Sequence, residues 1–350
     1  MSKSASQSPA KESKGAFLKA VGAVAAVVSL LLALNQITGL VQNLRVHHKE
    51  FSEAMKSGEQ EQQREDYGAA FHSFKHATEL DPIDKGAQAK ETEAAILWLD
   101  NVHANETQTF TQVANQLLPV FDSALSKAKG QAAGDILAHI AWANFLKYRE
   151  GMREGVNVDG NLKAAFAADQ NNVYAHTISG FWILWQGGDI KSAEAHFSAA
   201  LTTGRVRTYV RDLQISGLTN SNNPENDAEE LRVANDMRNS GELMLSLERR
   251  RIFWNNFTSR LHSPEELAAS LSVLSPADTE ATYDWLDDGP NSEGKAQTRA
   301  FVMANLKEIT GNRAEALAAY QALRKQMHDP TLTLISIVDL DIKRLSHAKK

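Results

Sequence analysis

Residues 64–82 constrain the fold of this chain more than any other stretch. Ala70, Phe74 and Ala77 follow one another at spacings of four and three residues, so they share one face of a predicted helix. Pro82 ends that helix, because proline cannot continue the backbone hydrogen-bond ladder and restricts the residue before it. A single helix cannot bury such a face by itself. The stretch therefore predicts neighbouring helices that cover it.

The same spacing returns twice, at residues 187–200 and 311–323, and each of these stretches opens with a Gly-Asp or Gly-Asn turn. The three packing positions are filled, in order, by Ala193, Phe197 and Ala200, and by Ala316, Tyr320 and Leu323. This pattern resembles the second helix of the tetratricopeptide (TPR) repeat, a helix–turn–helix unit of about 34 residues. The resemblance implies an all-α fold, a TPR-like helical solenoid of antiparallel helix pairs.

Composition and turn signals divide the chain further. A long loop is expected where Asn, Ser and Thr cluster around Pro224. The predicted order is a disordered basic cytoplasmic tail at 1–15, a transmembrane anchor at 16–34, a membrane-proximal helix or flexible stalk at 35–50, a TPR-like array at 51–217, a loop at 218–227, and a distal helical region at 228–350 with a TPR-like unit near 297–330.

The predicted anchor is an apolar stretch interrupted only by Lys19 and Ser29. As a helix, residues 16–34 would be about 28 Å long, close to the thickness of the hydrocarbon core of a bilayer. A cleaved signal peptide is the alternative, but residues 35–38 lack a small-x-small cleavage site. An uncleaved single-pass anchor is therefore favoured.

Basic residues set the predicted orientation of this anchor. Lys3, Lys11, Lys14 and Lys19 occupy its N-terminal side, whereas the twenty residues after it contain Arg45 and Lys49. The positive-inside rule then keeps the N-terminus in the cytoplasm and places the C-terminal domain on the extracytoplasmic side of the cytoplasmic (inner) membrane. The formal net charge of −6, with no basic stripe interleaved with aromatics, argues against nucleic acid as a partner.

Motifs that carry chemistry do not emerge from the sequence. It has no Gly-rich phosphate loop, no Gly-x-Ser-x-Gly elbow and no His-Glu-x-x-His motif, and it contains no cysteine. His72 and His76 lie four residues apart, but a solvated helix face explains them without a metal. We therefore predict no enzymatic activity, no cofactor and no metal site.

One aromatic stripe is a candidate for binding a partner. Ile178, Trp182 and Trp185 lie at spacings of four and three on the helix before residue 187. In the TPR family the first helices line a concave groove, so the resemblance implies that this stripe faces a ligand. The alternative is a core role, because this helix is apolar on most sides. Three basic residues follow that would pair with acidic groups of a peptide or form a solvated rim: Arg205, Arg207 and Arg211.

These features favour a membrane-anchored TPR-like adaptor or scaffold that binds a protein or peptide partner at the extracytoplasmic face. The runner-up is a structural subunit whose faces are permanently occupied within a membrane complex, and an enzyme is a distant third. Asn305 alone occupies a plausible position of the family's carboxylate clamp, so recognition of chaperone C-terminal tails is not implied.

Overall fold

The computed structural model describes residues 46–102, 108–219, 224–242, 269–286, 293–328 and 333–347. Throughout these ranges the chain forms α-helices joined by turns, and no strand occurs in them. The predicted all-α class is confirmed for this part of the chain. None of the described helices combines the length and the apolar character needed to cross a membrane. The predicted anchor at 16–34 lies outside the described residues.

The fourteen longer helices of the described ranges are numbered here in chain order. They are α1 over 46–63, α2 Tyr67–Leu80, α3 Lys85–Asp100, α4 Phe110–Leu125, α5 Gln131–Arg149, α6 Val158–Ala168, α7 Val173–Trp185, α8 Ile190–Thr202, α9 Arg207–Thr219, α10 Pro224–Asn239, α11 Pro276–Leu286, α12 Glu293–Ile309, α13 Arg313–Gln326 and α14 Thr333–His347.

The chain divides into two compact units. The described residues up to Thr109, together with Asn115–Val120, form the first unit, and Phe110–Ala114 with the described residues from Phe121 onward form the second. This division falls well before the loop predicted at 218–227.

In the first unit, α1 and α2 pack as an antiparallel pair. Phe74 of α2 is fully buried against Gly58 of α1, and a Cβ added at Gly58 would lie 2.7 Å from the Phe74 ring. Trp98 of α3 then covers the other side of α2, with its ring centroid 5.4 Å from that of Phe71. Asp66 caps α2 by accepting a hydrogen bond from the backbone N–H of Ala69 over 3.2 Å.

The second unit repeats this arrangement. Gly180 of α7 meets Phe197 of α8, and a Cβ added at Gly180 would lie 2.8 Å from the ring. The corner between the two helices is turned at Gly187, whose φ of 70° favours glycine. Asp189 then caps α8 by accepting from the N–H of Ser192 over 2.8 Å. Further pairs are α5 with α6, α9 with α10 and α12 with α13, and α14 packs on α13.

The three sequence patterns that predicted helix pairs lead to the same packing. Each small, aromatic or apolar position has a relative exposure of 0 or 1 %, namely Ala70, Phe74, Ala77, Ala193, Phe197, Ala200, Ala316, Tyr320 and Leu323. The packing faces predicted from these three patterns are therefore confirmed.

The predicted loop at 218–227 is narrower in the structure. Helix α9 continues to Thr219, and α10 begins at Pro224, so only residues 220–223 lie between them. Proline is well tolerated in the first turn of a helix, because the N–H that it lacks has no intrahelical partner there. Proline also occupies the first turn of α11, which begins at Pro276, and there Ser275 Oγ accepts from the N–H of Asp278 over 3.1 Å.

Candidate partner-binding site

Helix α7 carries the aromatic stripe predicted from the sequence. Asn172 caps the N-terminus of this helix, because its side-chain Oδ1 accepts a hydrogen bond from the N–H of Ala175 over 2.9 Å. Ile178 is fully buried, Trp182 is only 7 % exposed, and Trp185 is half-buried. The structure thus places Ile178 and Trp182 in the core, which is the alternative that the apolar character of α7 left open. Of the three, Trp185 is the most exposed.

The buried part of the stripe belongs to an aromatic cluster between α5 and α7. The cluster surrounds Phe145 of α5, which is 1 % exposed. Four rings have centroids within 6 Å of it, at 4.9 Å for Trp142, 5.2 Å for Phe181, 5.8 Å for Trp182 and 5.2 Å for Trp185. Trp142 is stacked on Phe145, and the other three rings meet it edge to face. Aromatic contacts of both kinds stabilise a core beyond the area that they bury.

Where this cluster reaches solvent, arginines lie over aromatic rings. The guanidinium of Arg149 lies 5.1 Å from the ring centroid of Phe110 and 5.8 Å from that of Trp185. Arg153 lies 3.5 Å above the ring of Tyr148. Both arginines are exposed. We call these five residues the aromatic–arginine rim.

A hydrogen-bonded cap helps to hold the rim in place. The two carboxylate oxygens of Glu150 accept from the backbone N–H groups of Phe110 and Thr111 over 2.9 and 2.8 Å. A carboxylate at a helix N-terminus is favourable, because the first N–H groups of a helix have no intrahelical acceptor. The cap fixes the start of α4 beside the end of α5, and with it the ring of Phe110 beside Arg149.

The three predicted binding arginines have acidic partners within the chain. Arg205 forms an ion pair with Asp135 over 2.8 Å. Arg207 and Arg211 both donate to the carboxylate of Glu242, at 2.7 and 3.0 Å, and the side chain of Arg211 is only 8 % exposed. Burial opposes ionisation of Glu242, but the hydrogen bonds from Arg211 and Arg207 outweigh it and lower its pKa. In this structure all three arginines therefore stabilise connections within the chain.

Sequence reasoning missed a buried polar network between α8, α9 and α10. Glu194 of α8 accepts from Gln214 Nε2 over 2.7 Å and lies 3.7 Å from the guanidinium of Arg232. Arg232 also forms an ion pair with Glu229. Burial is the largest cause that raises the pKa of Glu194 from 4.5 to about 7, and the charge of Glu229 adds to it. The one available signal was that Glu194 follows the buried Ala193 and precedes Phe197 by three residues.

The first unit contains an open groove on another part of the chain. Glu50 and Glu53 of α1 line it together with His72 and His76 of α2. Both histidines are exposed, as a solvated helix face requires. Among the described residues, no three His, Asp or Glu side chains are placed to hold a metal ion together.

Comparisons with known proteins do not assign this chain to a family. No family model matches it, and no curated protein matches it. A solved structure of a tetratricopeptide repeat protein from Parabacteroides merdae ATCC 43184 is similar over 85 % of this chain and 100 % of that chain, with 13 % sequence identity and a TM-score of 0.39. The assignment of the described residues to an all-α fold of helix pairs therefore rests on their own packing.

Proposed function

We propose that this chain is a membrane-anchored TPR-like adaptor, a scaffold that binds a protein or peptide partner at the extracytoplasmic face of the membrane. One observation carries the proposal: the same small–aromatic–apolar triplet is buried in α2, α8 and α13. Helix pairs that repeat in this way stack into extended arrays, which present long surfaces suited to holding another polypeptide.

The aromatic–arginine rim is the surface that we assign to the partner. Tryptophan, tyrosine and arginine are the residues most enriched where truncation weakens a protein interface. Trp185, Tyr148, Arg149 and Arg153 supply all three types at the surface end of a rigid aromatic core. Since Ile178 and Trp182 are buried, they would contribute to binding only indirectly, as part of the packed core that holds Trp185 in position.

Site-specific photo-crosslinking in intact cells tests this assignment. A photoreactive residue at Met152, which is 44 % exposed beside Arg153, should give a discrete crosslinked adduct. Arg149→Ala together with Arg153→Ala should abolish that adduct without changing the amount of the protein. Ile83, which is 86 % exposed in the first unit, is the matched control position. An adduct at Ile83 combined with none at Met152 would remove the rim from the proposal.

The membrane part of the proposal rests on the apolar character of residues 16–34 and on the lysines that precede them. A reporter enzyme that is active only after export, fused after Lys350, should be active. Deletion of residues 16–34 should release the protein from the membrane fraction. Activity of a cytoplasmic reporter at the same position, with silence from the exported one, would reverse the topology.

A further inference from the structure

Two histidines face each other across the α7–α8 pair, away from the aromatic–arginine rim. Nδ1 of His176 and Nδ1 of His196 are 3.0 Å apart. The ring of Phe166 packs against both imidazoles, with centroids 4.8 Å from His176 and 6.0 Å from His196. Both histidines are half-buried, so solvent still reaches the pair.

The hydrogen bonds of His176 indicate which of its two ring nitrogens carries the proton. Its Nε2 lies 3.2 Å from the backbone oxygen of Gln170. A carbonyl oxygen can only accept, so Nε2 carries the proton and Nδ1 of the neutral ring presents a lone pair. A ring N–H donated to a backbone carbonyl is the usual second-shell contact of a histidine that ligates a metal.

A metal ion needs an unprotonated nitrogen on each ring. With Nε2 of His176 protonated, the 3.0 Å contact is a hydrogen bond that the Nδ1–H of His196 donates to Nδ1 of His176. When His196 adopts its other tautomer, its own Nδ1 is unprotonated, and an ion can replace this hydrogen bond between the two Nδ1 atoms.

We propose that His176 and His196 form a two-histidine binding site for a divalent first-row transition ion such as Zn²⁺. An ion placed 2.0–2.1 Å from both Nδ1 atoms would make an Nδ1–ion–Nδ1 angle of roughly 95°, within the range that metal coordination accepts. Imidazole is a suitable ligand for zinc, copper and nickel, and water would complete the coordination shell. Such an ion links α7 to α8 and stabilises that helix pair.

A cysteine substitution gives a direct test, because the chain contains no cysteine of its own. In full-length His196→Cys protein kept in mild detergent, Co²⁺ should produce a thiolate-to-cobalt absorption band. Adding His176→Gln should weaken Co²⁺ binding at least ~10-fold, since one of two protein ligands is lost. Ser198→Cys, an exposed thiol on the same helix, is the matched control and should bind Co²⁺ as weakly as the double variant. Equal binding by all three proteins would overturn the proposal.

The native histidines are tested by thermal unfolding with and without Zn²⁺. An ion that binds only the folded state raises the melting temperature. Zn²⁺ should raise the melting temperature of the unmodified chain by several degrees, and His176→Gln or His196→Gln should remove this rise. The variant His72→Gln with His76→Gln should retain it. The site is refuted when the rise persists without His176 and His196, or when the unmodified chain shows none.

Discussion

The indole Nε1 of Trp182 donates a hydrogen bond to Asp159 Oδ1 over 2.9 Å. The bond joins α7 to the first turn of α6, and it gives the N–H of a buried tryptophan the acceptor that burial otherwise denies it. The indole ring of Trp182 is therefore held both by its apolar contacts in the aromatic cluster and by the hydrogen bond of its N–H group.

Removing this acceptor should destabilise the second unit. Asp159→Ala leaves the indole N–H unsatisfied and should lower the free energy of unfolding by about 1–3 kcal/mol. Asp159→Asn is the control, because it removes the same charge near the helix N-terminus but keeps an oxygen that accepts the bond. Chemical denaturation measures both variants. Equal losses would mean that the hydrogen bond contributes little and that the charge at the start of α6 accounts for the effect.

The two tryptophans of the stripe should separate stability from binding. Trp182→Ala should lower the free energy of unfolding by about 3–5 kcal/mol, because it empties a space inside the aromatic cluster. Trp185→Ala, at a half-buried position, should cost clearly less while reducing crosslinking from Met152. Denaturation curves and crosslinking yields are compared on the same preparations. A Trp185→Ala protein that is as destabilised as Trp182→Ala would count against a surface role for Trp185.

Ionisation of Glu194 should make stability depend on pH. Its folded-state pKa of about 7 lies above its ordinary value of 4.5, so the folded chain binds more protons between these values. The contribution of Glu194 is then fully present below pH ~4.5 and declines as the pH rises through ~7, by at most about 3 kcal/mol.

The variant Glu194→Gln isolates this group, because glutamine keeps an oxygen that accepts from Gln214. The difference in free energy of unfolding between Glu194→Gln and the unmodified chain should shift in favour of the variant as the pH rises from 4.5 to 8. Urea denaturation across this range measures the difference. If the free energies of unfolding of the two proteins change in parallel across this pH range, Arg232 holds Glu194 ionised in the folded chain.

Close approach of α7 and α8 should make Gly180 sensitive to a single methyl group. A Cβ at this position would lie 2.8 Å from the Phe197 ring and 3.0 Å from the backbone oxygen of Ala193. Gly180→Ala should lower the free energy of unfolding by about 1–2 kcal/mol, because overpacking outweighs the better helix propensity of alanine. Thermal unfolding of Gly58→Ala, whose Cβ would meet the Phe74 ring at 2.7 Å, gives the comparison. No loss in either variant would mean that the rings move aside freely.

Local spacing was enough to predict the helix pairs. Positions such as Ala193 and Phe197 fall on one face of α8 whatever surrounds them, and both proved to be buried. The side to which Trp182 points could not be predicted in this way. Helix α7 is apolar on most of its sides, so its periodicity does not distinguish a groove from a core.

Interactions between distant parts of the sequence account for the rest of the site. Arg211 finds Glu242, which lies 31 residues further along the chain, and Glu194 is buried only because α9 and α10 close over it. Neither contact leaves a periodic signal in the sequence. The resemblance to TPR repeats indicated which helices pair but did not specify these polar contacts.

Gly180 and Phe197 occupy one shared volume, as Gly58 and Phe74 do in the first unit. In α12 and α13, Ala304 and Tyr320 are both fully buried, and Ala304 precedes Tyr320 by the same interval at which Gly58 precedes Phe74. The identity of either partner therefore restricts the other across the turn. In diverged copies of this repeat, an alanine at the glycine position should be accompanied by a smaller or differently oriented ring at the aromatic position. The two positions should therefore change together.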